Sequence, residues 1–146
     1  MPNKIQLDSH DLADKLHSAA IHLLRKLRRE DESSGLNAPR LSALSVIVFG
    51  GPLSLRDLAA AEQVRPPTMT RIVKALEELG LVTKERDAQD ARGIRLSATP
   101  AGKQLLLEGR KRRVDSLARQ IGELDAAERK KLHEGSLILA ELIRGI

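Results

Sequence analysis

The chain has 146 residues, of which 41% are hydrophobic and 31% charged, with a net charge of +5; this is the balance of a folded domain with a basic surface suited to a polyanion, not of a disordered chain. It has no cysteine, which excludes disulfides, thiolate metal sites, thiol catalysis and thiol redox sensing. One Phe, no Tyr and no Trp leave Leu, Ile, Val and Ala to build the interior, which favours helices, and leave no aromatic platform for stacking single-stranded bases.

The first residues, "MPNKIQLDSHD", are too polar for a signal peptide, and no stretch approaches the roughly 20 apolar residues of a membrane span; a cytoplasmic protein without a membrane partner is expected. Residues 9–30 predict a helix capped by Ser9, with Leu12, Leu16, Ala20, Leu23 and Leu27 at helical spacing. "DESSG" (31–35) reads as a loop, and a second helix follows near 38–49, carrying Leu41, Leu44, Val48 and Phe49 and stopped by "GGP". Ser54 with Asp57 three residues on resembles a capping box for a helix within 53–64, whose inner face is Leu55, Leu58, Ala59 and Val64. After a turn at Arg65 and Pro66 comes a helix ending at Gly80. Residues 81–86 and 94–99 read as two strands of a hairpin around the charged turn 87–93. Thr99 and Pro100 open a helix running to about Leu124, and Asp125 caps a last helix to the C-terminus.

The segment "PPTMTRIVKALEEL" (66–79) carries the most specific pattern. At 100° per residue, Met69, Ile72, Val73 and Leu76 fall on one side, and Pro67, Thr70, Arg71, Lys74 and Glu78 on the other. The inner stripe suits packing on the preceding helix, and the outer face carries donors for base edges and phosphates. Proline is at home in a first helical turn, and Arg65-Pro66-Pro67 makes a stiff start that fixes where the reading residues point. The proline rings expose little polar backbone and can meet a thymine methyl. With small Ala59 at the helix crossing, a short turn and a hairpin directly behind, the pattern is a winged helix-turn-helix. An amphipathic helix with a basic outer face is, taken by itself, more often a solvated surface helix; the flanking elements tip the balance towards DNA.

Residues 55–107, above all "PPTMTRIVKALEELGLV" and the wing "RDAQDARG" with "RLSATPAG", resemble the MarR family of regulators. Gln63 stands where many helix-turn-helix proteins place a glycine in the turn, Arg65 where relatives often have a serine cap, and "LSAT" replaces the commoner "LT". The resemblance implies a mainly α fold with a small β hairpin: a winged helix-turn-helix lobe over 37–100, and long terminal helices over 1–36 and 101–146 forming a dimerisation lobe, all within one domain over 1–146. It places Pro66, Pro67, Thr68, Thr70 and Arg71 in the major groove and Lys74 near a phosphate, with Arg65 adding a phosphate contact. Arg92 at the wing tip would enter the minor groove, oriented by Asp90, while Arg86 and Arg95 flank the backbone.

Dimerisation is also expected from the residues themselves. Leu137, Ile138, Leu139, Leu142, Ile143 and Ile146 nearly encircle the last helix, so it needs cover on more than one side. A second copy, meeting these residues and Leu12 and Leu16 of the first helix, supplies it. Two reading helices would then address double-stranded DNA bearing a near-palindrome, with half-sites about 34 Å apart. The basic runs at 25–29 and 109–113 read as solvated helix faces, although either could lie against phosphate.

His10, His17 and His22 share the first helix but not one stripe, and His133 is remote, so no metal is expected. No Gly-rich phosphate loop and no activated nucleophile stands out, so neither catalytic residues nor a cofactor are expected. The function expected is that of a sequence-specific, dimeric DNA-binding transcriptional regulator. The resemblance further implies a repressor released by a small-molecule effector, bound near His17, Ile21, Leu41 and Leu44. The alternative is a winged helix used for protein contact or as an architectural DNA binder.

Overall fold

The structure, a computed structural model, describes residues 7–89 and 93–146. Helix α1 (Ser9–Leu27) continues directly into a 3₁₀ helix (Arg28–Ser34). Then follow α2 (Ala38–Gly50), strand β1 (Leu53–Ser54), α3 (Leu55–Ala61), α4 (Pro66–Glu78), the strands β2 (Val82–Arg86) and β3 (Ile94–Ala98), α5 (Pro100–Gly122) and α6 (Ala126–Arg144).

The sheet has three antiparallel strands in the order β1-β3-β2. It adds to the expected hairpin the two residues Leu53 and Ser54, paired with Leu96 and Arg95 on the far edge of β3. Helix α1 is capped by Asp8, whose carboxylate accepts from the His10 N–H at 3.2 Å, and not by Ser9, which is already helical. Residues 31–35 are not an open loop. Their 3₁₀ helix ends on Gly35 at φ 74°, a left-handed position that glycine holds without a Cβ penalty.

The other caps follow the sequence. Ser54 accepts from the Asp57 N–H, Thr99 from the Gly102 N–H, and Asp125 forms a reciprocal capping box with Glu128. Helix α3 ends three residues before Val64. The chain passes to α4 through Gln63 at φ 54°, a left-handed residue held by Gln63 N–H to Ala60 carbonyl and Val64 N–H to Ala59 carbonyl bonds. Helix α4 closes in the motif its Gly80 predicts. The Gly80 N–H bonds the Glu77 carbonyl and the Leu81 N–H bonds the Leu76 carbonyl, turning the chain straight into β2.

The core lies almost wholly in the winged lobe. Ala43, Leu44 and Ile47 of α2 pack with Leu58 and Ala59 of α3, Met69, Val73 and Leu76 of α4, and Val82 and Leu96 of the strands. Phe49 takes no part and is 69% exposed. Helix α5 contributes Leu106 to the core. By contrast, α1 and α6 have no buried residue at all. Each still carries a row of Leu and Ile, and Leu142 and Ile143 stand 54% and 59% exposed.

Candidate nucleic-acid interface

Helix α4 owes its position to its buried stripe. Met69, Val73 and Leu76 are fully buried against α2 and α3, and this turns Pro67, Thr70, Arg71 and Lys74 outward, all exposed. Burying three such side chains contributes several kcal/mol, far more than any hydrogen bond the exposed face forms with its own chain. The start of the helix is rigid. Arg65 is the N-cap in extended geometry, with no side-chain cap bond, and prolines occupy the first two helical positions. The Thr70 hydroxyl donates to the Pro66 carbonyl at 2.9 Å. Arg65, Pro66 and Thr68 are exposed beside them. All seven residues expected on the reading face therefore lie together on one exposed surface.

The wing is organised at its base. The Asp87 N–H donates to the Gly93 carbonyl at 2.9 Å, extending the β2–β3 ladder by one bond. The Asp87 carboxylate accepts from the Gln89 N–H at 3.0 Å and pairs with Arg95 Nε at 3.4 Å. Arg95 is thus committed partly to Asp87, while Arg86 is exposed at the end of β2. Asp90 and Arg92 lie outside the described residues. Lys84 of β2 approaches Glu77 of α4 at 3.8 Å, bridging the wing and α4.

Two structural joints were not expected from sequence. In the first, the Thr99 N–H bonds the Leu81 carbonyl, its hydroxyl donates to the Gly80 carbonyl at 2.6 Å, and its oxygen caps Gly102. This single residue fastens the start of α5 to the end of α4. In the second, Arg113 of α5 forms an ion pair with Asp31, and Arg112 donates to the Glu30 carbonyl at 3.3 Å. Half of the basic run 109–113 therefore grips the 3₁₀ helix instead of standing in solvent. The acidic "EDE" at 30–32 was the available signal. Arg110 and Lys111 remain exposed, as do Arg25, Lys26, Arg28 and Arg29 of the other run.

Of the residues expected at a dimer interface, Leu12, Leu16, Leu137, Leu142, Ile143 and Ile146 are exposed and Leu139 is half-buried. Leu107 and Val114 of α5, one helical stripe apart by seven residues, are exposed as well. Of the residues suggested for an effector, His17 and Ile21 are exposed on α1, Leu41 is half-buried, and Leu44 is fully buried in the core. An open cleft of about 350 Å³ lies elsewhere, between the 3₁₀ helix and the first half of α5. Ser33, Ser34, Leu81, Leu105, Glu108 and Arg112 are among its lining residues. Among the described residues no group of three His, Asp or Glu side chains is placed to hold a metal ion, and no helix is long and apolar enough to cross a membrane.

A helix-turn-helix whose second helix shows a basic face to solvent, backed by a three-stranded wing, defines a winged helix-turn-helix DNA-binding protein. A MarR family model matches residues 36–94. A helix-turn-helix-type transcriptional regulator of Mycobacterium tuberculosis is 32% identical over 132 residues, covering 90% of this chain and 92% of the relative. Among solved structures, a transcriptional regulator of Thermotoga maritima superposes with a TM-score of 0.84 at 21% identity, over 93% of this chain and 96% of the other. A mutant of Staphylococcus aureus MepR bound to an oligodeoxyribonucleotide gives a TM-score of 0.71 at 18% identity, over 90% and 97%. The chain belongs to the MarR family of transcriptional regulators, which are not enzymes.

Proposed function

We propose that the protein is a homodimeric, sequence-specific reader of a near-palindromic operator, and a repressor released by a small molecule. The observation that carries the reading of DNA is the division of α4: Met69, Val73 and Leu76 have no exposure, while Pro67, Thr70, Arg71 and Lys74 face solvent. Arg71 reads a base, Lys74 neutralises a phosphate, and Arg86 and the wing follow the backbone. The MepR mutant of the same fold bound to an oligodeoxyribonucleotide supports DNA as the partner.

Dimerisation is supported by α1 and α6, whose apolar rows have no cover within their own chain. Leaving so many Leu and Ile side chains in water forfeits on the order of 10 kcal/mol, which a self-complementary interface recovers. Leu107 and Val114 extend that interface along α5.

Release by a ligand is what the family resemblance implies, and the open cleft beside Arg112 and Ser34 is the place assigned to it here. It abuts the joint between the 3₁₀ helix and α5. A ligand bound there only when that joint is rearranged would change the separation of two reading helices.

The experiment is selection from a random duplex pool at near-physiological salt, followed by sequencing. Enrichment of a near-palindrome is the expected result. Binding without enrichment would replace this reading with an architectural binder, and absence of binding at low salt with a protein-contact module.

A further inference from the structure

We infer that Asp31, Arg112 and Arg113 are positioning residues that set which half-site spacing the dimer accepts. The inference rests on the homodimeric reading proposed above and names what holds its two heads at one separation.

The chain passes between the pairing helices and the winged lobe twice, from α1 through the 3₁₀ helix into α2, and from β3 along α5 into α6. Helices α1 and α6 bury nothing, and the buried positions of α5, Gly102, Leu106 and Gly109, all lie in its first half. The softer of the two passages is the 3₁₀ helix, which ends on the left-handed Gly35. Its type of hydrogen bond is poorer than that of an α-helix, and a short stretch of it between α-helices is a common place for a hinge. Unless something held that passage, each head could swing there.

The joint to α5 holds it at two adjacent points. Arg113 pairs with Asp31, and Arg112 Nε donates to the Glu30 carbonyl at 3.3 Å, an oxygen that also accepts from the Ser33 hydroxyl at 3.2 Å. One contact would leave a pivot. Two contacts, on neighbouring residues of both segments, oppose rotation as well as separation. Gly109 makes the close approach possible: it is buried, and a Cβ there would stand 3.4 Å from Arg113 Nη1 and 3.6 Å from Arg112 Nη2. The Asp31 and Arg113 side chains are 19% and 31% exposed, whereas Asp115 and Lys111, paired on the same helix, are 52% and 76% exposed. The surface pair is screened and worth little, while the sheltered one resists salt and is costly to break.

DNA presents the spacing of its half-sites in discrete steps. One base pair inserted at the centre of a site moves one half-site by about 3.4 Å and turns it by about 35° around the axis. A dimer whose joints are clamped cannot follow both changes, so one head loses its half-site and with it the avidity of a two-headed contact. A dimer whose joints are free can follow.

The probes are the duplex enriched from the random pool by the wild-type chain, and the same duplex with one base pair inserted or removed at its centre. The wild type should bind the altered duplexes at least about a hundredfold more weakly. Asp31→Asn, Arg112→Met and Arg113→Met together dissolve the joint, keep the apolar stems and strand no charge. That variant should bring the ratio below about tenfold while sedimenting as a dimer. Arg112→Met alone leaves one point of attachment and should give a ratio between the two. Arg119→Met on the same helix lowers the net charge by the same single unit as the triple variant, and should keep the wild-type ratio.

A triple variant, or Arg112→Met alone, that keeps the full wild-type ratio overturns the inference. So does an Arg119→Met chain that loses it equally, since charge would then be the cause. A triple variant that sediments as a monomer overturns it as well, because the joint would then hold the pairing helices together and not their heads apart. Wild-type binding that ignores the central insertion, or failure to enrich a paired site, would instead remove the dimeric reading on which the inference stands.

Discussion

At the scale of the residue, Arg71 and Lys74 sit on the same exposed stripe yet are expected to act differently. A guanidinium can grip guanine O6 and N7 together, whereas an ammonium meets phosphate as a point charge. Arg71→Ala should therefore cost about 1–3 kcal/mol on the preferred site and little on random DNA. Lys74→Ala should weaken both alike and reduce the salt slope by about one. Titration of each variant with the enriched and a scrambled duplex, at three salt concentrations, separates the two. Equal loss on both duplexes for Arg71→Ala would mean that it touches only the backbone. The exposed face of α4 was legible in the sequence because its buried partners recur at helical spacing. The role of Asp87 was not. Of its three partners, Gln89 and Gly93 belong to the turn and Arg95 to β3, and no periodicity encodes that arrangement.

At the scale of the element, the joint at Thr99 fastens the start of α5 to the end of α4. Gly102 sits in it, and a Cβ there would run into the carbonyl oxygen of Leu81, with the Leu44 side chain at 3.3 Å. Gly→Ala inside a helix ordinarily gains about 1 kcal/mol. Here the obstacle is backbone, which cannot rotate away, and overpacking of this kind costs about 1–3 kcal/mol. Gly102→Ala is therefore expected to lower the urea midpoint, with a net loss of up to about 2 kcal/mol. An unchanged or raised midpoint would show that α5 can slide off the Leu81 carbonyl.

The elements themselves were read from caps and periodicity with small errors: α2, α4, both hairpin strands and α5 lie within a few residues of expectation. Two were missed for the same physical reason. Strand β1 is only two residues long and exists because β3 offers it an edge some 40 residues away in sequence. The 3₁₀ helix is a polar run with no periodicity, gripped by arginines 82 residues distant. Local patterns do not carry such partnerships.

At the scale of the whole molecule, the chain is a well-packed winged lobe attached to helices that have no core of their own. Stability of the dimer lobe should thus depend on association. Leu142→Glu places a carboxylate in each half of a symmetric interface, where an unpaired charge costs several kcal/mol. Sedimentation should show a dimer for the wild type and a monomer for the variant at micromolar concentration. The winged lobe should keep its fold while operator affinity falls by at least about a hundredfold, the share of one reading head in a two-headed contact. A variant that remains dimeric would place Leu142 outside the interface. The uncovered apolar row of the last helix was legible in its sequence, but the exposure of Leu107 and Val114 was not. Those two are ordinary members of a leucine-rich helix until the fold shows which side the winged lobe leaves bare.

The physical separation of α4 from α1 and α6 carries a consequence for genetics. A lesion confined to the reading face, such as loss of Arg71, leaves the pairing helices whole. Such a chain would still capture a healthy sibling and leave it with a single functioning head. In a cell carrying equal doses of both alleles, random pairing makes only about one assembly in four fully competent. Reading-face alleles should accordingly behave as dominant negatives. Alleles that break α6 should be recessive, because their products withdraw from the pool without spoiling anyone else's.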